Sequence, residues 1–450
     1  MSHTVALSMI VRDAAQFLPD CLASVRGLVD EMIIADTGSR DSTVAIAQEA
    51  GARVIDVAWD NDFAAARNRA LAHVRSEWVL SLDADERLDS NARLHLLPSL
   101  HKASVAGYQV TIRNYVRSLT DRLWDRPAVR NDSTLPAAAQ YPGYLEHQNV
   151  RLFRRTPAIY FVGRVHESVG PSILQSGQTL GEAAFLIHHL GLAADEETLT
   201  RKNILYRQLG RQKIQELPNN AQAHFELALL EMDNFHNHAE AQALFARAHA
   251  LDPGFGLAWF FDALTQVKLQ HYAEALPLLD EAENTGYRST LVAETRGDAH
   301  YNMGNFSRAR AAYSSAYRRD PGNASVHSKL GLATLRAGDR ERGLWDLRAA
   351  VEARPSAPEV HDRLVSALVW TGELRSAAEA AESKLAAVDV PQAGDFLRAA
   401  SLWSKLSEWR AASRIVEQGR QSHPEDATLR SAWEEITASL QIPVLASSAK

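Results

Sequence analysis

Apolar positions follow two rhythms along the chain. In the first hundred residues, short apolar runs alternate with helical patterns. Thr4–Val11 (TVALSMIV), Glu31–Asp36 (EMIIAD), Arg53–Trp59 (RVIDVAW) and Glu77–Asp83 (EWVLSLD) are predicted strands; Ala14–Leu28, Asp41–Gly51 and Phe63–Val74 are predicted helices between them. The second helix is punctuated at both ends, since Asp41 or Ser42 can cap its start and Gly51 can end it. Strands alternating with helices imply an α/β domain with a mostly parallel sheet covered on both faces. Ligands of such sheets bind at the carboxyl ends of the strands. Asp36 and Asp83 lie at such ends.

From about residue 200 the period changes. Small residues recur every 34 positions, at Ala241, Ala275, Ala309, Gly343, Ala377 and Ala411. A second register, Ala263, Gly297, Gly331 and Ala399, agrees except at Val365. A third, Ala248, Ala282, Ala316 and Ala350, then lapses. Pro321 and Pro355 share the step, and Gly304, Gly338 and Gly372 mark a turn inside a unit. A helix–turn–helix unit of this length, with small residues where paired helices touch, resembles the tetratricopeptide repeat. We expect an α/β domain over 1–198, a docking helix within 199–218, an all-α superhelix of about six units over 219–440 and a tail at 441–450. Such arrays present a concave groove to peptide or protein, or serve as a plain structural stack or dimerisation arm.

Composition narrows the partners. A formal net charge of −7 argues against nucleic acid or an acidic membrane surface. The single cysteine, Cys21, excludes an internal disulfide framework. The first residues carry neither a basic leader nor a long apolar run, and no window has the eighteen or more apolar residues of a spanning helix, so a cytoplasmic protein without a transmembrane segment is expected.

The candidate chemistry centres on SLDADERL, where a buried strand gives way to Asp83, Asp85 and Glu86. Residues two apart in extended backbone point the same way. Asp83 and Asp85 therefore suit magnesium or manganese, with coordination sites left for the oxygens of a diphosphate. Asp-x-Asp is also common on plain surfaces, facing water. Asp36, followed by Thr37-Gly38-Ser39, can accept hydrogen bonds from a nucleotide base or ribose, or belong to an ordinary turn and cap. Arg67 and Asn68 sit on the helix leading to the acidic cluster. Arg67 could meet a phosphate or the carboxylates, although a solvated helix face is the plainer reading.

The segments LSMIVRDAAQFLPDCLASV, DEMIIADTGSRDSTVAIAQEAGA, DFAAARNRAL and WVLSLDADERL, in this order and spacing, resemble the consecutive motifs of family 2 glycosyltransferases of the GT-A fold. Asn149–Val169 (NVRLFRRTPAIYFVGRVHESV) and Phe185–Leu192 (FLIHHLGL) fit the same pattern. With the repeats, the chain is similar to bacterial family 2 transferases that carry tetratricopeptide repeats. The resemblance implies a UDP-sugar donor, with Asp36 at the uridine, Asp83 near ribose and sugar, and Asp85 on a Mn2+ or Mg2+ that bridges the diphosphate. It implies inversion at the anomeric carbon, with Glu167 as the base and His166 as the next candidate. His188 would complete the metal site or reach the diphosphate, while His189 points elsewhere. One departure stands at the end of the first strand. The family often has a basic residue and Asn-Glu there; this chain has Arg12-Asp13-Ala14, so Asp13 can still accept hydrogen bonds but the Glu is missing.

The segment 114–148 has no clear period and is rich in Arg, Pro and aromatics. It reads as one wall of an acceptor site, with Trp124, Tyr141 and Tyr144 free to stack on a sugar, or as a poorly ordered insertion. The groove favours a peptide or protein acceptor over a cell-surface glycan or lipid-linked one, and repeats could also pair copies into a homo-oligomer. Two other readings compete: a catalytically degenerate scaffold whose repeats are the active part, and a Rossmann-type oxidoreductase. The latter lacks Gly-x-Gly-x-x-Gly after the first strand, where IVRDAAQF stands.

Overall fold

The computed structural model describes residues 3–441 apart from 103, 120, 121, 124, 125 and 192–195. The chain divides into two compact units, Met1–Leu251 and Asp252–Lys450.

The first unit is built on a mixed sheet of β1 (Val5–Val11), β2 (Glu31–Asp36), β3 (Arg53–Asp56), β4 (Trp78–Ser81), β5 (Glu86–Leu88), β6 (Val105–Val116), the short β7 (Arg122–Leu123), β8 (Arg126–Pro127) and β9 (Val129–Arg130), then β10 (Gly143–Arg154) and β11 (Thr179–His189). The main order is β3-β2-β1-β4-β10-β6-β11-β5; β9 pairs with β10, and β7 with β8 apart from the sheet. Pairings among β1 to β4 are parallel, whereas β10 runs antiparallel to both β4 and β6. The helices are α1 (Leu18–Ser24), α2 (Thr43–Glu49), α3 (Phe63–Leu71), α4 (Ala92–Ser99) and α5 (Gly170–Gln175). This is the α/β class that the alternating pattern predicts.

Both faces of the sheet are covered, and β1 shows why its sequence is apolar almost throughout. Val5, Leu7, Met9 and Val11 pack with Leu18, Cys21 and Leu22 on one face. Ala6 and Ile10 pack with Ala66, Ala70 and Phe153 on the other. α3 approaches closely because its buried stripe is Ala64, Ala66 and Ala70. Its start is fixed by Asp62, which accepts a hydrogen bond from the Ala65 N–H at 2.8 Å. The same face carries Arg67 inward.

The 114–148 segment is not an irregular wall. Its two ends belong to the β6–β10 pair, and Tyr141 and Tyr144 pack with Tyr115, Ala138 and Leu190. At 7% and 3% exposed, those tyrosines are core residues and cannot stack on an acceptor. Trp124 lies outside the described residues.

Three further helices belong to this unit: α6 (Glu196–Glu216), α7 (Ala221–Asp233) and α8 (His238–Leu251). The second unit is all-α, from α9 (Gly256–Lys268) to α19 (Ala427–Gln441), in tetratricopeptide-like pairs. Contact between α13 (Ala324–Arg336) and α14 (Arg340–Ala353) shows what the small residues do: a Cβ on Gly331 would lie 2.9 Å from Leu347 Cγ and 3.0 Å from Gly343 O. The register that lapses after Ala350 does so at Lys384, on α16 (Leu374–Ala387). Lys384 is buried and donates to Asp362 at 2.8 Å and Asp395 at 2.6 Å. An ion-paired lysine occupies the place of the alanine. Among the described residues no helix is long and apolar enough to cross a membrane.

Candidate functional site

Beyond β4 the chain turns tightly. The Glu86 N–H donates to Asp83 O at 3.0 Å, and the Asp83 N–H donates to Glu86 Oε2 at 2.9 Å. Two arginines stand against these acids. Arg67, from α3, donates to Asp83, to Glu167 Oε1 at 2.6 Å and to Ser81 Oγ at 3.3 Å. Arg151, from β10, donates to Asp83 Oδ2 at 3.1 Å and to Glu86 Oε1 at 2.6 Å. Arg151 reaches them because the β10–β6 register shifts between Val150 and Leu152, and a bulge re-aims the side chain it carries. Arg67 is 5% exposed, so it is a buried structural cation rather than a solvated helix face.

The electrostatics follow from that packing. Burial alone would push the Asp83 carboxyl up; Arg67 and Arg151 outweigh it and hold the group far below the usual carboxylate range. Burial pushes Glu86 up to about 7, with Arg151 opposing and Asp83 adding to the rise. Burial also works against the charge on Arg67, but Asp83 and Glu167 more than restore it.

Asp85 has a different neighbour. Its carboxylate Oδ2 lies 3.2 Å from His189 Nε2, and its carbonyl accepts from the Leu190 N–H at 3.1 Å. Gly191 is required beside it, because a Cβ there would overlap Asp85 Oδ2. The histidine at the acidic cluster is thus His189, not His188. Successive residues of β11 face opposite ways. His188 is buried, stacked on Tyr115 with its Nδ1 2.8 Å from the tyrosine hydroxyl. His189 Nδ1 meets Asn114 Oδ1 at 2.6 Å, which leaves Nε2 to Asp85. Burial disfavours charge on His189, but the bond to Asp85 and the nearby acids prevail and raise its pKa.

The remaining expected residues are spread around one cleft of about 900 Å³. Asp13, Arg67, Asp83, Asp85, His166, Glu167 and His189 all line it, and its volume suits a nucleotide-sized ligand. Asp13 lies in the left-handed region (φ 49°), and its carboxylate accepts from the Arg40 N–H at 2.7 Å. Asp36 stands one residue behind the wall formed by Thr37. Its Oδ2 accepts from the Gly38 and Ser39 N–H groups, both at 3.0 Å, while its buried Oδ1 has no partner. Asn68 does not reach the cleft: its amide makes two bonds to the Phe161 backbone, at 2.9 and 2.8 Å, and staples α3 to that segment. His166 is also left-handed (φ 54°); desolvation lowers its pKa, so the neutral ring is favoured. Strained backbone at both Asp13 and His166 is typical of sites where side-chain placement outweighs local stability.

Among the described residues no three His, Cys, Asp or Glu side chains converge as a complete metal cage. Both oxygens of Asp83 are engaged by arginines. Asp85 and His189 are the donors left, a set that fits a cation completing its shell with phosphate oxygens and water. Residues that the sequence did not single out are Arg151, His189 and, on α6, Arg201, Lys202 and Tyr206. The bulge that aims Arg151 has no short-range signal.

Comparison with known proteins agrees with this layout. Residues 7–160 match the family described as Glycosyl transferase family 2, and residues 263–334 match a tetratricopeptide repeat-like domain. A "TPR repeat-containing protein" of Synechococcus elongatus is 41% identical over 170 residues, covering 38% of this chain and 36% of that one. The SPbeta prophage-derived glycosyltransferase SunS of Bacillus subtilis is 26% identical, over 36% and 34%. The lipopolysaccharide core biosynthesis glycosyltransferase LpsC of Rhizobium meliloti is 30% identical, over 41% and 62%. The chain thus spans about a third of the length of the first two relatives.

Proposed function

The chain carries a family 2 glycosyltransferase domain followed by tetratricopeptide-like repeats, and from that premise we propose that it transfers a sugar from a UDP-sugar to an acceptor with inversion at the anomeric carbon. The observation that carries the reading is the single cleft in which Asp83, Asp85, Glu167, Arg67 and His189 converge.

Glu167 is the base. Arg67 holds its Oε1, and Oε2 has no hydrogen-bond partner among the described residues. That oxygen takes the acceptor's proton as the acceptor oxygen bonds to the anomeric carbon and the bond to the diphosphate breaks, its electron pair leaving with the nucleoside diphosphate. Arg67 therefore sets the position of both Glu167 and Asp83. Asp36 Oδ1, a buried acceptor without a partner, suits a donor group of the base or ribose. Asp85 and His189 would hold a divalent cation, which supplies charge neutralisation on the diphosphate. A nucleotide-sugar donor fits action in the cytoplasm.

The repeats favour a peptide or protein acceptor. A glycan acceptor is the second reading, favoured by the named role of the Rhizobium meliloti relative. The test is calorimetric titration of UDP into the protein with and without manganese, beside Asp85→Ala. Binding that needs both the metal and Asp85 supports the reading; no binding by folded protein under any condition overturns it.

A further inference from the structure

One wall of the cleft comes from α6, beyond the segment that matches the transferase family. The charges lining the cleft show what that wall adds. Four carboxylates line it, at Asp13, Asp83, Asp85 and Glu167, against five cations, and two of the five, Arg201 and Lys202, are on α6. Without α6 the lining would carry more negative than positive charge and would repel a diphosphate. The cations of the floor are also committed: Arg67 to Asp83 and Glu167, Arg151 to Asp83 and Glu86. Arg12 lies 3.9 Å from Asp13.

Lys202 differs from these. It has no carboxylate partner among the described residues, and its Nζ sits over the ring of Tyr206 at 5.4 Å. Tyr206, one turn further along α6, is wedged between Phe63 at 6.0 Å and His166 at 5.9 Å. Its hydroxyl makes no hydrogen bond among the described residues. Burial, with Glu167, Asp83 and Asp85 in range, raises its pKa and keeps it a neutral donor. An ammonium and a phenolic O–H, both uncommitted, thus face the acidic turn across the cleft. We propose that Lys202 and Tyr206 form the diphosphate-binding contact of the donor site, the ammonium meeting phosphate charge and the hydroxyl donating to a phosphate oxygen. This rests on the UDP-sugar reading above and assigns binding roles to a helix outside the family segment. It also explains why the cleft can accept a polyanion although its floor is acidic.

The test compares UDP, titrated by calorimetry, with uridine, followed by ligand-observed NMR, on the full chain. Lys202→Gln is expected to weaken UDP binding about tenfold and Tyr206→Phe about threefold, with uridine unchanged and Lys202→Arg near wild type. Lys202 is exposed, so its replacement leaves the fold intact. Wild-type binding of UDP matched by Lys202→Gln overturns the proposal, as does a parallel loss of uridine binding. Absence of UDP binding to the wild-type protein overturns the donor reading itself.

Discussion

Glu167 and Asp83 share one guanidinium, yet they answer to different measurements. Glu167→Gln keeps shape and a hydrogen bond to Arg67 but loses the proton acceptor. Turnover of a UDP-sugar is expected to fall by about 10²–10³, with UDP affinity unchanged, as read by steady-state kinetics and calorimetry. Asp83 belongs to stability. Its folded carboxyl is held far below the ordinary value near 4, so its contribution is fully present above about pH 4 and lost as pH falls through the lowered pKa. Urea midpoints followed from pH 5 to pH 2 should therefore drop less steeply for Asp83→Asn than for wild type. An equal slope would mean that the arginines do not hold that charge in solution. Neighbouring residues were read from the sequence less well than these two. The choice between His188 and His189 turned on strand phase at the end of β11, and nothing in FLIHHLGL fixes that phase.

At the scale of elements, the legible features were those with a period. Apolar runs marked β1, β2, β3 and β4 to within a few residues, because both faces of a covered parallel sheet demand them. The 34-residue step survived because paired helices leave no room for a Cβ at Gly331. Elements without a period were opaque: the 114–148 segment looked irregular, although its tyrosines fill a core that forms only when β6 and β10 pair across 27 or more intervening positions. Lys384 is the reverse case, a break in the period with a physical cause. Replacing it by the alanine of the earlier units removes the shared partner of Asp362 and Asp395 and leaves Asp395 partly buried. Lys384→Ala is expected to cost about 2 kcal/mol, visible as a lower denaturant midpoint with an unchanged slope. A neutral or stabilising outcome would show that the triad is dispensable.

For the whole molecule, the transferase segment is not the first folding unit. Lys213, on α6, is 7% exposed and donates to Val165 O at 3.0 Å and to Glu226, on α7, at 2.7 Å. Arg164, one residue before Val165, pairs with Glu216. The loop that carries His166 and Glu167 is thereby tied down from 213, 216 and 226. A chain ending at 195 is expected to bind UDP at least tenfold more weakly than one ending at 251, and the longer piece should match the full protein; equal binding by both would show that α6 and α7 are spectators. The grip of Lys213 on Val165 also limits what evolution can exchange. Repeat arrays could be traded between such chains to change what is recruited, but a recombination joint upstream of 251 would separate the loop from its anchor. The first helix pair is therefore inherited with the chemistry, and only the units after it are free to diverge with the cargo.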